Sequence, residues 1–163
     1  MTTQEKLEYF KTQPGRGLHY MSSPLKAGTL KNTVIGDSCI GYEFVIDTLT
    51  YRGCWLSTIE DLELTVDGEK IPRGDMLFRV KGLNIPIANL SSHTEVFWGV
   101  EDQAVLSVFK IGGLAKGDHK FRITVKKRND FGHSVGDGEQ GYEQGIEFHN
   151  PSAINDEIVF TIA

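Results

Sequence analysis

Residues 51–74, with the sequence YRGCWLSTIEDLELTVDGEKIPRG, contain the hairpin that decides the fold. Its apolar positions alternate with polar ones, which is the period-two pattern of a strand buried on one face: Leu62, Leu64 and Val66. Asp67-Gly68 follows and predicts a two-residue type I′ turn, because that turn needs positive φ at both central positions. Pro72 ends the short return strand, since it has no N–H to donate to a ladder.

The same alternation continues on both sides of this hairpin and predicts further strands. Residues 104–111, AVLSVFKI, are apolar on both faces and predict a central strand. Residues 83–90 predict an extended segment broken at Pro86. Leu30, Asn32 and Val34 alternate with Lys31, Thr33 and Ile35. The other sets predicted to share one face of a strand are Ile40, Tyr42, Phe44 and Ile46; Met76, Phe78 and Val80; Phe121, Ile123 and Val125; and Ile158, Phe160 and Ile162.

Short strands separated by turns predict an all-β fold, either an antiparallel β-sandwich or an open barrel. The beginning of the chain differs, because residues 1–10 predict a short helix and the following stretch is rich in Pro, Gly and Ser. We therefore divide the chain into an N-terminal arm, residues 1–28, and a single sandwich domain, residues 29–163. Within that domain residues 129–150 are Gly-rich and acidic and predict a long surface loop.

The composition restricts the class of function. The chain has 163 residues and a formal net charge of −5, which argues against a nucleic-acid partner. The densest basic stretch, residues 126–128, is interpreted as a solvated strand end. No apolar run has the length of a membrane span or a secretory signal, so we expect a cytoplasmic protein. Cys39 and Cys54 lack metal-site spacing and are expected to be small buried side chains without a disulfide.

No catalytic constellation is evident in the sequence. The five histidines show no metal-site spacing. His133 and the acidic residues near it in the 129–150 loop could surround an ion, but their sequence does not match a calcium-loop template. Glu60 and Asp61 are adjacent, so on a strand they face opposite sides and do not flank one bond. The Gly-rich stretch at residues 111–117 matches no phosphate-binding motif and predicts a turn.

Two tryptophans have two possible roles each. Trp55 and Trp98 lie near polar stretches, and either residue could belong to the core or form an aromatic platform against a sugar or a partner chain. For Trp55 we favour a contact surface. Together with Arg52 it lies at the edge of a segment, and Trp and Arg are enriched at interfaces. Arg52 and Trp55 are therefore the candidate residues of a substrate rim or subunit interface.

Several elements along residues 29–131 together resemble the small β subunit of bacterial C-glycoside deglycosidases. Single elements of this kind are common in sheets, whereas the whole string is specific. The elements are Arg52, Leu56-Ser57, Ile59-Glu60-Asp61-Leu62, Val66-Asp67-Gly68-Glu69, Pro72-Arg73, Gly112-Gly113-Leu114, and Gly117 with His119.

This resemblance implies a non-catalytic β-sandwich that docks on a (β/α)8-barrel α subunit, in a higher-order αβ hetero-oligomer. It implies no cofactor in this chain and a divalent metal, expected to be Mn²⁺, in the partner. The implied substrate is a 3-oxo-C-glycoside, for example of a flavonoid. Its ketone acidifies the C2 proton, a base removes that proton, the metal stabilises the enolate, and the aglycone carbon leaves by β-elimination.

Two other functions stay open at this point. A stand-alone carbohydrate-binding sandwich would use Trp55 and Trp98 as stacking platforms. An independent metalloenzyme of the cupin type would require metal ligands within this chain.

Overall fold

Two antiparallel sheets face each other across a common apolar core. The computed structural model of the protein describes residues 24–48, 53–127 and 153–163. Within these ranges the strands are β1 (Lys31–Ile35), β2 (Ser38–Ile46), β3 (Cys54–Trp55), β4 (Ile59–Val66), β5 (Glu69–Lys70), β6 (Met76–Val80), β7 (Leu83–Pro86), β8 (Phe97–Trp98), β9 (Ala104–Phe109), β10 (Gly117–Lys127) and β11 (Ala153–Ile162). Three short 3-10 helices lie between them, at Leu56–Thr58, Arg73–Asp75 and Ile87–Ser92.

The strand order confirms the predicted all-β architecture. One sheet has the order β1-β2-β9-β6-β7, and the opposite sheet has the order β11-β10-β4-β5. A separate two-stranded ladder joins β3 to β8. The predicted central strand is indeed central, because β9 pairs with β2 on one side and β6 on the other. It ends at Phe109 rather than at Ile111, which is exposed.

Aromatic side chains from both sheets meet in the core. The Phe44 ring on β2 lies 5.2 Å from Phe121 on β10 and 5.5 Å from Phe160 on β11, measured between ring centroids. Such tilted and edge-on contacts add to the free energy gained from burying the rings. The residues predicted to face inward from β2, β4, β6 and β10 are buried, apart from the half-buried Ile40. One interpretation is wrong: Lys127 is 1% exposed rather than solvated.

The hairpin predicted from residues 51–74 forms between β4 and β5. Asp67 has φ of 51° and Gly68 has φ of 83°, so both central positions of the turn are left-handed as expected. The return strand has only two residues, and Pro72 then precedes the 3-10 helix Arg73–Asp75.

The prediction of an extended segment over residues 83–90 is wrong beyond Pro86. β7 ends at that residue, and a 3-10 helix follows over Ile87–Ser92. Ile87 and Leu90 are both buried, and their spacing of three matches the three residues per turn of such a helix. Their burial against the core therefore determines the local conformation after the proline.

The end of the predicted arm packs on the sandwich. The Asp47 N–H donates to the Pro24 carbonyl at 2.8 Å, and the buried Leu25 forms a bridge with Ile46 of β2. Leu25 thus adds a single bridge to the edge of the five-stranded sheet. The predicted helix at residues 1–10 and the predicted loop at residues 129–150 lie outside the described residues.

The two cysteines are free thiols, with Cys54 buried and Cys39 half-buried. In the described ranges, no helix has both the length and the apolar character needed to cross a membrane.

Candidate functional site

An exposed aromatic pair lies where the β3–β8 ladder reaches the surface. Trp55 of β3 pairs with Phe97 of β8, and their ring centroids are 5.1 Å apart with an interplanar angle of 69°. The Trp55 residue is 44% exposed, and Phe97 is half-buried beside it. The pair offers a rigid apolar surface with few rotatable bonds, which suits a contact with another molecule.

The backbone around Trp55 is fixed on both sides. Gly53 has φ of 81°, and a Cβ added to it would lie 2.3 Å from the Trp98 carbonyl oxygen, so this close approach requires glycine. Beyond Trp55, the Thr58 hydroxyl donates to the Trp55 carbonyl at 2.6 Å, within the 3-10 helix Leu56–Thr58. The ring of Trp55 is therefore presented by an ordered turn.

The second tryptophan belongs to the core. Trp98 is fully buried, and its indole Nε1–H donates to the Asp102 carbonyl at 2.8 Å. Its ring packs edge-on against Phe78, with the centroids 5.1 Å apart. The stacking role that the sugar-binding alternative gave to Trp98 is therefore wrong, because neither ring face is open to a ligand.

Arg52, the other candidate residue, lies outside the described residues, one position before Gly53. Its pairing with Trp55 in a contact surface stays a prediction. The acidic loop around His133 also lies outside them. In the described part of the chain, no three His, Cys, Asp or Glu side chains gather as a group able to hold a metal ion.

A polar cluster links the hairpin turn to β10 at the opposite end of β4. The Asp67 carboxylate accepts from the Lys120 N–H at 2.8 Å and lies 2.7 Å from His119 Nδ1. The other ring nitrogen, Nε2, lies 2.7 Å from the Ala115 carbonyl oxygen. The hydrogen bonds to Asp67 and, second, to Ala115 raise the pKa of His119 above its ordinary value. The same contact with His119 is the main reason why the pKa of Asp67 is lowered.

Gly112-Gly113-Leu114 is held against β1 by a side-chain amide. The Asn32 Nδ2–H donates to the Leu114 carbonyl at 2.9 Å, and its Oδ1 accepts from the Leu114 N–H at 2.9 Å. Gly113 lies so close that an added Cβ would be 2.4 Å from Asn32 Oδ1 and 2.7 Å from Cys39 Sγ. The glycine thus allows the chain to cross between the sheets over Asn32.

Asp61 and Arg73 form an ion pair between β4 and the 3-10 helix after Pro72. The Arg73 Nε–H donates to Asp61 Oδ1 at 2.8 Å, and its Nη2 binds the other carboxylate oxygen. The hydrogen bond from Arg73 is the largest cause that lowers the pKa of Asp61. Asp61 is therefore a structural carboxylate, and Glu60 beside it is exposed. Lys126 pairs with Asp61 but Lys127 pairs with Ile59, so β4 has one extra residue at Glu60 and the strict alternation predicted for Glu60 and Asp61 is interrupted there.

The string of residues that carried the resemblance thus has structural roles at several positions. Asp61 binds Arg73, Asp67 binds His119, and Gly113 accommodates Asn32. Sequence reasoning did not find Asn32 or Phe97, because each acquires its role from a partner distant in the chain.

Comparison with known proteins assigns the family. A sequence model of the C-glycoside deglycosidase beta subunit family matches residues 20–131, which include β1 to β10. The chain belongs to the C-glycoside deglycosidase beta subunit family. The family match confirms the resemblance and covers the part of the chain that forms both sheets, apart from β11.

Two curated relatives carry the same family name. The C-glycoside deglycosidase beta subunit of Arthrobacter globiformis is 42% identical over 53 residues, which are 32% of this chain and 40% of the relative. The C-glycoside deglycosidase beta subunit of Eubacterium cellulosolvens is 32% identical over 82 residues, which are 50% of this chain and 56% of the relative. The matched stretches thus span about half the length of these relatives or less.

Proposed function

We propose that this chain is the small, non-catalytic subunit of a metal-dependent C-glycoside deglycosidase. It docks on a (β/α)8-barrel subunit, and the complex cleaves the carbon–carbon bond between an aglycone and a 3-oxo-sugar. Membership of the C-glycoside deglycosidase beta subunit family is the observation that carries this proposal. The match falls on the sandwich itself, so the family's characteristic sequence is the part that presents the Trp55–Phe97 pair.

The chemistry of this proposal divides between the two subunits. A base on the barrel subunit removes the C2 proton next to the C3 ketone. The aglycone carbon then leaves by β-elimination. The divalent metal, expected to be Mn²⁺, also belongs to the barrel in this proposal. The described residues of this chain do not gather a ligand set that fits such an ion. The role of the chain is to bind, orient and complete the partner.

The exposed aromatic pair supports a docking role for the Trp55 end of the sandwich. Tryptophan and phenylalanine are enriched in interface cores, and residues of this kind often contribute more than their neighbours to binding. Trp55 combines a half-exposed ring with a fixed backbone, so little conformational entropy is lost when a partner covers it. We therefore place Trp55, and with it Arg52, in the contact with the barrel subunit.

Co-expression with a barrel-type α subunit tests the proposal. The two chains are expected to co-elute in size-exclusion chromatography, and only the complex is expected to cleave a 3-oxo-C-glucoside at full rate. Each chain alone serves as the control. Separate elution, together with barrel activity that does not change when this chain is added, would contradict the proposal.

The sugar-binding alternative makes a different prediction. An isolated module would bind a sugar without any partner, and its tryptophan fluorescence would titrate with that sugar. With Trp98 buried, a single exposed tryptophan remains among the described residues for such stacking. We therefore favour the subunit function.

A further inference from the structure

The contacts of His119 require both of its ring nitrogens to donate. Nδ1 lies 2.7 Å from Asp67 Oδ2, and Nε2 lies 2.7 Å from the Ala115 carbonyl oxygen. A backbone carbonyl and an ionised carboxylate only accept hydrogen bonds. A neutral imidazole has one N–H, so either tautomer would place a nitrogen lone pair against an oxygen lone pair at 2.7 Å.

The proton of this cluster resides on the histidine. Asp67 accepts a second hydrogen bond from the Lys120 N–H through its other oxygen, and both bonds favour the ionised carboxylate. A neutral Asp67 donating to a neutral ring would give up the charge assistance of the first bond and weaken the second. The geometry therefore corresponds to an imidazolium beside a carboxylate.

We propose that Asp67, Ala115 and His119 form a proton-operated latch. In its closed state the imidazolium joins the hairpin turn of β4–β5 to the segment that crosses from β9 to β10. Loss of one proton from the ring opens the contact between His119 and Ala115. The contact with Asp67 persists, because the carboxylate charge retains the remaining N–H on Nδ1.

The part of the chain that the latch releases is short and defined by its neighbours. Leu114 stays bound to Asn32 through two hydrogen bonds, and Gly117 begins β10. Only Ala115 and Lys116 lie between these fixed points, and both are exposed. Opening is therefore a local change at the end of the sandwich and leaves both sheets intact.

Two charged side chains near the latch act on His119. The charges that act on His119 are Asp67 of the hairpin turn and Lys110 of the crossing segment. The Lys120 side chain binds Glu157 of β11, and Phe160, the β11 residue opposite His119, is apolar. Lys110 opposes the charge on His119, whereas the directly bonded Asp67 favours it and dominates because it is nearer. From β2, the phenol of Tyr42 stays neutral, because burial and then Glu69 and Asp67 raise its pKa.

The sign of the pH effect follows from the direction of the shift. The folded pKa of His119 is raised above its unfolded value, which is about 6.5. The stability that the closed latch contributes is therefore fully present below that unfolded value. It is lost as pH rises through the folded pKa.

Nuclear magnetic resonance of the full chain tests the latch without any substitution. Long-range proton–nitrogen spectra of the His119 ring are recorded from pH 5.5 to pH 10. We expect both nitrogens to be protonated near neutral pH, and the proton on Nε2 to be lost at higher pH. The amide signals of Ala115 and Lys116 are expected to move with the same midpoint. A neutral ring at pH 6, or amides that stay unchanged while the ring titrates, would overturn the proposal.

Two substitutions separate the latch from a merely structural histidine. Asp67→Asn removes the carboxylate charge and is expected to move the His119 midpoint to lower pH. An unchanged midpoint would contradict the latch. In His119→Gln the side chain at this position is neutral at every pH. The melting temperature of this variant should therefore lie below that of the unmodified chain at pH 6, and the difference should shrink as the pH rises to 9. A loss that stays constant with pH would overturn the proposal.

His93→Gln is the matched control for these measurements. His93 is half-buried at the end of the 3-10 helix Ile87–Ser92, outside the latch. Its substitution is expected to leave the His119 ring titration and the Ala115 and Lys116 amides unchanged. A shift in the His119 midpoint in this variant as large as that in Asp67→Asn would overturn the assignment to the latch.

Discussion

Asn32 binds both backbone polar groups of Leu114, a residue 82 positions away in the chain. The side-chain amide thereby replaces one rung of a β-ladder at the point where the chain leaves β9 for the opposite sheet. Both contacts are 2.9 Å long and partly buried, so loss of either partner leaves a polar group poorly solvated. The adjacent Gly113 is part of the same arrangement, because only a residue without a side chain leaves room for the amide.

Substitution of Gly113 tests this steric requirement. Gly113→Ala should destabilise the fold by about 3 kcal/mol, from left-handed backbone strain together with displacement of the Asn32 amide. Gly112→Ala is the matched control. Its φ is also positive, at 86°, but a Cβ there meets nothing within 4 Å. Urea unfolding of both variants measures the difference, and equal losses would contradict the steric role of Gly113.

The ion pair between Arg73 and Asp61 predicts a pH-dependent contribution to stability. Arg73→Ala should cost about 1 kcal/mol at pH 7, since the pair is partly exposed but bidentate. The pKa of Asp61 is lowered by Arg73, so this contribution is present above the unfolded value of about 4 and is lost as pH falls through the folded pKa. The difference in unfolding free energy between the variant and the unmodified chain should therefore shrink below pH 4.

Lys70→Ala is the control for that experiment. Lys70 binds Glu63 at 3.2 Å, and both side chains are well exposed. Its removal is expected to change the free energy of unfolding by less than about 0.5 kcal/mol. A loss in Lys70→Ala equal to that in Arg73→Ala would show that the hairpin depends on its general charge rather than on the bidentate pair.

The fold was largely predictable from local pattern. β2, β4, β6 and β10 follow from period-two alternation, because the side-chain period of a strand is a property of its own backbone. The turn at Asp67-Gly68 follows from the dihedral angles it requires. Lys127 was assigned wrongly. Alternation along β10 places it on the inward face after Val125, but because it is charged it was interpreted as a solvated residue.

The candidate site was less predictable, because its relationships are long-range. β3 and β8 have two residues each, too few to show alternation. The preference for Trp55 as a contact residue therefore rested only on its position at the edge of a segment, and the role of Trp98 stayed open. The pairing of Trp55 with Phe97 and of Cys54 with Trp98 determines which tryptophan is exposed and which is buried. The bond between Asp67 and His119 spans 52 positions, and neither residue on its own indicates the other.

The different surroundings of the two tryptophans predict different fluorescence. In a Trp55→Phe variant the remaining Trp98 should emit at short wavelength and resist quenching by iodide, because it is buried. In a Trp98→Phe variant the remaining Trp55 should emit at longer wavelength and be quenched readily. Trp98→Phe should also cost about 2 kcal/mol of stability, since it loses buried volume and the bond to the Asp102 carbonyl. Equal quenching in the two variants would contradict the assignment of Trp98 to the core.

Trp55 provides the most direct test of the docking surface. Trp55→Ala should weaken binding to the barrel subunit about 30-fold, which corresponds to about 2 kcal/mol for an exposed aromatic residue at an interface. Phe109→Ala is the matched control, since Phe109 is 57% exposed. It lies next to Lys110, whose charge acts on Asp67, and therefore at the opposite end of β4 from Trp55. Titration of the partner by calorimetry measures both affinities. Unchanged binding by Trp55→Ala with weakened binding by Phe109→Ala would place the docking surface at the hairpin end instead.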